Sequence, residues 1–334
     1  MRKILVIRFS SIGDIILTTP VLRCLKTQLP DAEVHLLTKR GFKPIIEANP
    51  YLDKIHYYGG NLAKMIPELK AEGYDEIIDL HNNARTKRVK NALKVNATSY
   101  KKLNWEKWLL VNFKINRLPD VHIVDRYMDT VQHLGVTNDG KGLDYFIPHN
   151  EELDMNTLPP EFKNGYVAFA IGGNHRTKRL PSYKIVKVCD RLHVPVVLLG
   201  GKEEVDKADK IIAKSGNTIY NGCGHLHLNE SATIIKNATA VISHDTGMMH
   251  IAAAFKKKII SVWGNTIPEF GMVPYFGDRL SEQELANKNA SKIIELKGLK
   301  CRPCSKIGYS KCPKGHFKCM NKLSSLEIAK AANP

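Results

Sequence analysis

The chain of 334 residues has the composition of a globular protein, with 43% hydrophobic and 25% charged residues, and its length predicts about two domains. Lysine and arginine outnumber aspartate and glutamate by 50 to 33, and the formal net charge of +17 favours polyanionic partners such as anionic lipids, phosphorylated sugars or nucleic acid. No apolar run approaches the roughly 18 residues of a membrane-spanning helix, and no signal-peptide cleavage site follows the first apolar residues, so we expect a cytoplasmic protein.

The first half of the chain alternates apolar runs with amphipathic residues. Apolar runs over 3–9 and 32–38 predict strands, and the amphipathic stretch over 15–30 between them predicts a helix. A further strand is predicted over 75–81. Strands that alternate with helices form parallel sheets, so an α/β domain is expected over residues 1–155.

Basic residues are concentrated between Arg85 and Arg117, where the sequence has ten lysines and arginines and one acid, Glu106. The same stretch contains NWEKWLLVNF (104–113), which adds two tryptophans and a phenylalanine. Basic residues that flank exposed tryptophan and leucine suit a membrane surface, so we expect peripheral association with anionic lipid. The alternative, in which the tryptophans are core and the lysines a solvated rim, stays open. No nucleic-acid-binding motif accompanies the stretch, so no nucleic-acid partner is expected.

The same alternation begins again after a polar, proline-bearing linker at 148–164, and it predicts a second α/β domain over 160–334. The predicted strands and helices of this half lie at 165–173, 182–192, 194–201, 203–215, 240–247, 248–255 and 258–264. Two doubly wound domains in tandem are therefore expected. A Ser-x-x-Glu capping box at Ser324 opens a last helix over 326–332, which can pack back on the first domain.

Three loops that follow predicted strands carry suitable chemistry, at the sheet edge where open α/β domains bind ligands. The first is Ser-Ser-Ile-Gly-Asp at 10–14. Gly13 permits a tight turn, and Asp14 stands at a helix start, where a carboxylate is favoured by the helix dipole. Asp14 can act as a general base towards an acceptor hydroxyl, or it can simply cap the helix.

The second loop, at 171–179, combines glycines with Arg176, Lys178 and Arg179. Backbone N–H groups and cations together suit a diphosphate, although a solvated basic loop has the same composition. The loop is neither a Walker loop nor a GxGxxG fingerprint. The third loop, at 243–250, runs from a strand end into a helix, whose N-terminus suits an anion.

Four cysteines form the pattern Cys301-x2-Cys304-x7-Cys312-x6-Cys319. In a cytoplasmic protein this spacing indicates a structural zinc site before it indicates disulfides. Disulfides and reduced thiols stay open as alternatives. The cluster lies outside the three loops, so a structural role is expected rather than a catalytic one.

The three loops and their neighbours resemble a known family. The segments that carry the resemblance are IRFSSIGDIILTTPVLRCLK, GGNHRTKRLP, LLGGKEE, SHDTGMMHIAAA and VWGNTIPEFG. In this order they resemble glycosyltransferase family 9, the ADP-heptose:lipopolysaccharide heptosyltransferases, over nearly the whole chain. The resemblance implies a GT-B fold, two Rossmann-like domains that face each other across a cleft, with the acceptor in the first domain and the donor in the second. It also implies inverting heptose transfer from ADP-heptose to the Kdo/heptose inner core of lipopolysaccharide, a lipid-linked saccharide, at the cytoplasmic face of the inner membrane, with no metal or cofactor needed for catalysis.

Roles carry over from the family onto matching positions. Asp14 is implied as the general base, and Lys178 as the cation that stabilises the leaving diphosphate. The implied donor-binding residues are Gly173, Asn174, Lys178, Glu203, Glu204, Asp245, Thr246, Gly247, Met248 and His250. The expected acceptor-binding residues are Ser11, Gly13, Arg85, Lys87 and Arg88, of which the last three can equally form a solvated basic face.

Other functions stay open. Leu180 precedes Pro181 where the family usually has tryptophan, so a related GT-B transferase with another nucleotide sugar or another lipid-linked acceptor is an alternative. A GT-B-like sugar-nucleotide epimerase is a second alternative, against which the Ser-Ser-Ile-Gly-Asp loop argues. A non-catalytic binder of anionic lipid or nucleic acid is a third.

Overall fold

The computed structural model describes residues 2–333, which divide into two compact units. The first unit comprises residues up to Lys102, then Val121–Pro148 and Gly277–Arg279; the second comprises Leu103–Asp120, His149–Phe276 and the residues from Leu280 onward. The structure thus differs from the continuous first domain expected over 1–155. The physical reason is that Leu110 is buried in an apolar cluster with Ile267 and Phe270, which holds 103–120 to the second unit.

A parallel sheet forms the centre of the first unit. Its strands within the described residues are β1 (Arg2–Ile7), β2 (Ala32–Lys39), β3 (Lys54–Tyr58), β4 (Glu76–Asp79) and β5 (Asn96–Ser99). They lie in the order β3-β2-β1-β4-β5, so the chain winds outward from β1 in both directions, as predicted. The helices of this part of the chain are α1 (Ile12–Ile16), α2 (Thr19–Gln28), α3 (Lys43–Ile46), α4 (Leu62–Ala71), α5 (Ala84–Leu93), α6 (Asn104–Phe113) and α7 (Ile123–Met128), of which α6 belongs to the second unit. Residues 4–7 of β1 are all fully buried, the continuous apolar run of a strand covered on both faces.

The second unit is built in the same way. Its strands within residues 2–333 are β6 (Val167–Ala170), β7 (Val196–Leu199), β8 (Ile219–Asn221), β9 (Ala240–His244), β10 (Ile259–Trp263) and β11 (Lys292–Glu295). They are parallel, in the order β11-β10-β9-β6-β7-β8. Its remaining helices are α8 (Ser182–Cys189), α9 (Val205–Ile212), α10 (Leu228–Asn237), α11 (Gly247–Ala254), α12 (Glu282–Ala290), α13 (Lys318–Asn321) and α14 (Ser325–Ala332). The order of strands reverses between β1 and β4 in the first unit and between β6 and β9 in the second, and such switch points are where open α/β sheets bind ligands.

The terminal helix α14 packs within the second unit. Ile328, Ala329 and Ala332 are buried in that unit's core, and the Ser324 hydroxyl caps the helix by accepting the Glu327 N–H at 3.2 Å. The cap agrees with the sequence pattern, and the buried face of α14 belongs to the core of the second unit. No helix in the described part of the chain has the length and apolar character needed to cross a bilayer.

Candidate active site

Asp14 follows β1 at the switch point of the first unit. Its carboxylate accepts hydrogen bonds from the Ser11 backbone N–H at 3.1 Å and the Ser11 hydroxyl at 2.7 Å, so it does cap α1. The same carboxylate forms an ion pair with the Arg8 guanidinium at 2.6 Å, while its side chain stays 21% exposed. A cap alone needs no ion pair, and the Asp14 side chain keeps part of its surface exposed to solvent.

Arg8 orients Asp14 and was not identified from the sequence. Arg8 is buried, and it donates to the Leu80 carbonyl, to the Ser10 carbonyl at 2.7 Å and to the Tyr127 hydroxyl at 2.8 Å. Burial alone would lower the pKa of Arg8, but the Asp14 carboxylate together with Tyr127 and Tyr100 outweighs burial and raises that pKa above its ordinary value. The available signal was one basic residue inside an apolar strand run, since such a residue needs a buried partner.

His81 is a second residue that the sequence did not single out. It follows β4, and its ring lies edge-on to Phe9 with centroids 5.5 Å apart. Burial and the positive charges of Arg8 and Lys102 lower the pKa of His81 to about 4, so the ring is neutral near pH 7. Its buried Nδ1 has no hydrogen-bond partner within the described residues, which marks it as a candidate ligand contact.

Arg85, Lys87 and Arg88 lie in α5, just after the switch point. All three are exposed, whereas Thr86 and Val89 on the same helix are buried. The Arg85 guanidinium also lies 6.0 Å from the centroid of the Tyr58 ring. Both an anion-binding face and a solvated basic face are compatible with this arrangement, so their acceptor-binding role stays a prediction.

In the second unit, the loops after β6 and β9 come together at the switch point. Lys178 forms an ion pair with Asp245 at 2.6 Å, and Thr266, which follows β10, donates its hydroxyl proton to the same carboxylate at 2.8 Å. Gly173 passes so close to Thr246 that a β-carbon at Gly173 would lie 3.0 Å from the Thr246 Cγ2. The structure therefore brings together Lys178, Asp245, Thr246 and Gly173, which the resemblance had grouped as donor-binding residues.

The remaining donor-site positions differ in their burial. Glu204 is buried and pairs with Arg179 at 2.6 Å, whereas Glu203 is exposed, so Glu204 is the acid held at this loop. Gly247 and Met248 open α11 and are half-buried. His250 is buried one turn further along, and Asn174 is exposed in its loop.

The cysteines near the C-terminus share one neighbourhood. The Cys301 sulfur lies 3.7 Å from His316 Nε2. Burial is the largest cause that raises the pKa of the Cys319 thiol to about 12, and the neighbouring Cys304, Cys312 and Cys301 thiols contribute to the same rise. All seven cysteines of the chain are free thiols in this structure.

Potential metal-ligand atoms also lie close together in a different group of residues, in the first unit. Within residues 2–333, potential ligand atoms of three residues lie within 4.8 Å of one another at His35, His56 and Glu72, and the cysteines do not form such a group. The Tyr74 hydroxyl bridges His35 Nδ1 at 2.9 Å and His56 Nε2 at 2.8 Å, and Lys54 and Lys3 pair with Glu72. Because each inner atom already has a protein partner, the group is an internal polar network and we assign no metal to it.

The tryptophans of α6 are on the surface. Trp105 is 63% exposed, Trp108 45% and Phe113 58%, and the two indoles stack with centroids 5.0 Å apart. The alternative in which these residues form a core is therefore wrong. Instead Leu110 anchors the helix, on the side that meets Ile267.

Comparisons of the sequence and of the fold with known proteins lead to the same family. Residues 62–301 match the model of glycosyltransferase family 9 (heptosyltransferase). Lipopolysaccharide heptosyltransferase 3 of Escherichia coli (strain K12) is 26% identical over 76% of this chain and 80% of the relative. The crystal structure of a family 9 glycosyl transferase from Veillonella parvula superposes with a TM-score of 0.73 at 22% identity, over 99% of this chain and 96% of the other. The E. coli ADP-heptose lps heptosyltransferase II superposes with a TM-score of 0.67 at 20% identity, over 98% and 99% of the two chains.

Proposed function

The chain belongs to glycosyltransferase family 9, the heptosyltransferases, and we propose on that premise that it transfers a heptose from ADP-heptose to the Kdo/heptose inner core of lipopolysaccharide. The observation that carries the proposal is the Lys178–Asp245–Thr266 constellation at the switch point of the second unit, inside the part of the chain that matches the family. Relatives named as heptosyltransferases, and one solved as an ADP-heptose enzyme, support the choice of donor.

The transfer is a single displacement at the anomeric carbon of the heptose. An acceptor hydroxyl gives its proton to Asp14 as its oxygen bonds to that carbon, and the bond to the ADP oxygen breaks with its electron pair leaving on the diphosphate. Attack opposite the leaving group inverts the configuration. Arg8 holds the Asp14 carboxylate in one orientation, so a lone pair can face the hydroxyl.

Lys178 stabilises the charge that develops on the departing diphosphate. Its ammonium forms an ion pair with Asp245 at 2.6 Å. When the diphosphate binds, Lys178 exchanges a carboxylate for phosphate oxygens, and Asp245 becomes available to accept from heptose hydroxyls while Thr266 still orients it. The N-terminus of α11 at Gly247 adds backbone donors to the same anion.

The test is transfer from ADP-heptose to a Kdo-bearing lipid A acceptor, with and without EDTA. Acceptor-dependent release of ADP that is unaffected by EDTA is expected. ADP-heptose that binds without transfer would redirect the search to another lipid-linked acceptor. A chain that binds other nucleotide sugars but not ADP-heptose would overturn the proposed donor, and the stabilisation given by bound ligand reports this in a thermal-shift screen.

We further propose that α6 places the enzyme on the anionic cytoplasmic face of the inner membrane, where a lipid-linked acceptor is found. Its exposed Trp105, Trp108 and Phe113 form one continuous aromatic face, since Trp108 contacts both of the others. Lys114 and Arg117 are exposed immediately after it. Exposed aromatic rings flanked by cations suit the boundary between headgroups and acyl chains.

Replacing Trp105, Trp108 and Phe113 together by alanine is expected to weaken binding to phosphatidylglycerol-containing vesicles about tenfold or more, because the apolar area available for insertion is lost. Vesicle sedimentation measures the change. Tyr183→Ala is the matched control. Tyr183 is 49% exposed and has Lys184 and Lys187 about 6 Å from its ring, but it is a single ring and not one of three aromatic rings in contact. Equal binding of the triple variant and wild type would remove α6 from this role.

We also propose that Cys301, Cys304, Cys312 and Cys319 hold a structural metal ion of the zinc class. Burial, and after it the proximity of the other cysteines, raises the pKa of Cys304 and Cys319. A bound cation would stabilise the thiolates against both effects, and this supports the proposal along with the Cys-x2-Cys spacing. Purified protein is expected to carry about one zinc per chain, and the Cys304→Ser/Cys312→Ser variant none. Metal analysis that also quantifies iron tests this, since four thiolates accept either metal. Cys24→Ala is the control, and metal-free wild-type protein would contradict the proposal.

A further inference from the structure

The cysteine-rich segment, residues 301–319, lies against the loop that carries Lys178. Thr177 is buried directly before Lys178, and its hydroxyl donates to the Tyr309 carbonyl at 3.1 Å and accepts from the Tyr309 N–H at 2.8 Å. The Thr177 N–H also donates to the Tyr309 carbonyl at 3.2 Å. Three hydrogen bonds thus join the two segments at the residue next to the proposed phosphate-binding lysine.

A close steric contact lies beside these hydrogen bonds. Gly308 has φ +135°, and a β-carbon there would lie 2.5 Å from the His175 Cβ. Ser305 fixes this turn, because its hydroxyl accepts the N–H groups of Ile307 at 3.0 Å and of Gly308 at 2.9 Å. Since Ser305 follows Cys304 directly, the position of the turn depends on where Cys304 is held.

A second connection runs from the Cys-x2-Cys pair to Asp245. Arg302, between Cys301 and Cys304, donates to the Gly264 carbonyl at 2.6 Å and to the Thr266 carbonyl at 2.7 Å, and it pairs with Glu295 at 2.6 Å. Thr266 in turn holds the Asp245 carboxylate. The pair of cysteines is therefore connected to both partners of the Lys178–Asp245 ion pair.

We propose that the cysteine-rich segment supports the loop at 171–179 and so sets the geometry of the donor-phosphate site. Thr177 and Gly308 are the positioning residues. The metal-bound or metal-free state of the cysteines therefore regulates donor affinity. The inference rests on the proposed function for the identity of the donor. The claim that the segment supports the loop depends only on contacts within the second unit, and not on the identity of the donor. The cysteines lie outside the three loops, but the segment that contains them contacts the loop at 171–179 through Thr177.

The test compares Thr177→Val, Gly308→Ala and Gly315→Ala. Thr177→Val keeps the shape but removes the hydroxyl, and Gly308→Ala pushes against His175. Gly315→Ala is the matched control, because Gly315 also has positive φ in the same segment but nothing lies within 4 Å of a β-carbon there. Thr177→Val and Gly308→Ala are each expected to weaken ADP binding about tenfold, measured by calorimetry, with the acceptor KM unchanged.

Hydrogen–deuterium exchange of residues 172–179 is the second readout, and it does not depend on which nucleotide is bound. Faster exchange in Thr177→Val and Gly308→Ala, with wild-type exchange in Gly315→Ala, is expected. Unchanged exchange and unchanged ADP affinity in both variants would overturn the inference. Wild-type protein that fails to bind ADP while the variants still loosen the loop would instead overturn the proposed donor.

The cysteines are tested in the same assays without disturbing the contact residues. Cys304→Ser/Cys312→Ser is expected to loosen the loop and weaken ADP binding in the same direction, with Cys24→Ala behaving as wild type. Loss of bound metal without any change in exchange or ADP affinity would leave the cysteines purely structural and overturn the regulatory claim.

Discussion

Replacing Asp14 by asparagine is expected to slow heptose transfer about a thousandfold while ADP binding is unchanged. Asparagine has nearly the same shape, and its amide oxygen in the Oδ2 position can still accept from Ser11, so the cap of α1 survives. What is lost is the ability to take the proton from the acceptor hydroxyl, together with the ion pair that Arg8 makes with Oδ1. The turnover number at saturating donor and acceptor measures the effect.

Asp31→Asn serves as the control for Asp14, because Asp31 is an exposed aspartate of the same unit. A melting temperature close to wild type in both variants would exclude unfolding as the cause. Wild-type turnover in Asp14→Asn would remove Asp14 from its role, and lost ADP binding would mean that it acts in the donor site.

Replacing Lys178 by methionine is expected to lower kcat/KM about 100- to 1,000-fold. Methionine keeps an unbranched apolar stem but removes the charge that the leaving diphosphate needs. ADP affinity should fall less than kcat/KM, because the charge on the leaving group grows in the transition state and the lysine is most effective there. Steady-state kinetics together with calorimetry separates the two quantities.

Lys187→Met is the matched control for Lys178, since Lys187 is exposed on α8 of the same unit. An equal loss in ADP affinity and in kcat/KM for Lys178→Met would show that Lys178 contributes binding alone. Unaltered kinetics would place the diphosphate elsewhere in the second unit.

The central strands could be predicted because β1, β6 and β9 are mostly apolar, and each is followed by a glycine-bearing loop. A parallel sheet buried on both faces leaves this pattern in any sequence. The loops that follow such strands meet at the switch point, so the pairing of Lys178 with Asp245 was accessible from strand order.

Other features depend on contacts between residues far apart in the chain, which no local pattern encodes. The position of Arg8 in an apolar run indicated a buried partner, but its partners Tyr127 and Leu80 are identified only in the structure. The cysteine-rich segment, residues 301–319, has no regular period, so its contact with Thr177 is visible only in three dimensions. The exposure of Trp105 depended on which face of α6 meets Ile267, and its amphipathic pattern is too weak to decide that.

Neither unit is one continuous stretch of the chain, and this has a consequence for hybrid enzymes. A gene fusion joined in the linker at 148–164 would take the acceptor half from one family member and the donor half from another. Such a hybrid would pair the α6 of one parent with the Ile267 and Phe270 of the other, because 103–120 belongs to the second unit. A hybrid that keeps each unit intact must therefore inherit 103–120 together with the donor half, which requires crossover points at about 102, 120 and 148. Because Gly277–Arg279 belong to the first unit, two more are needed at about 276 and 279.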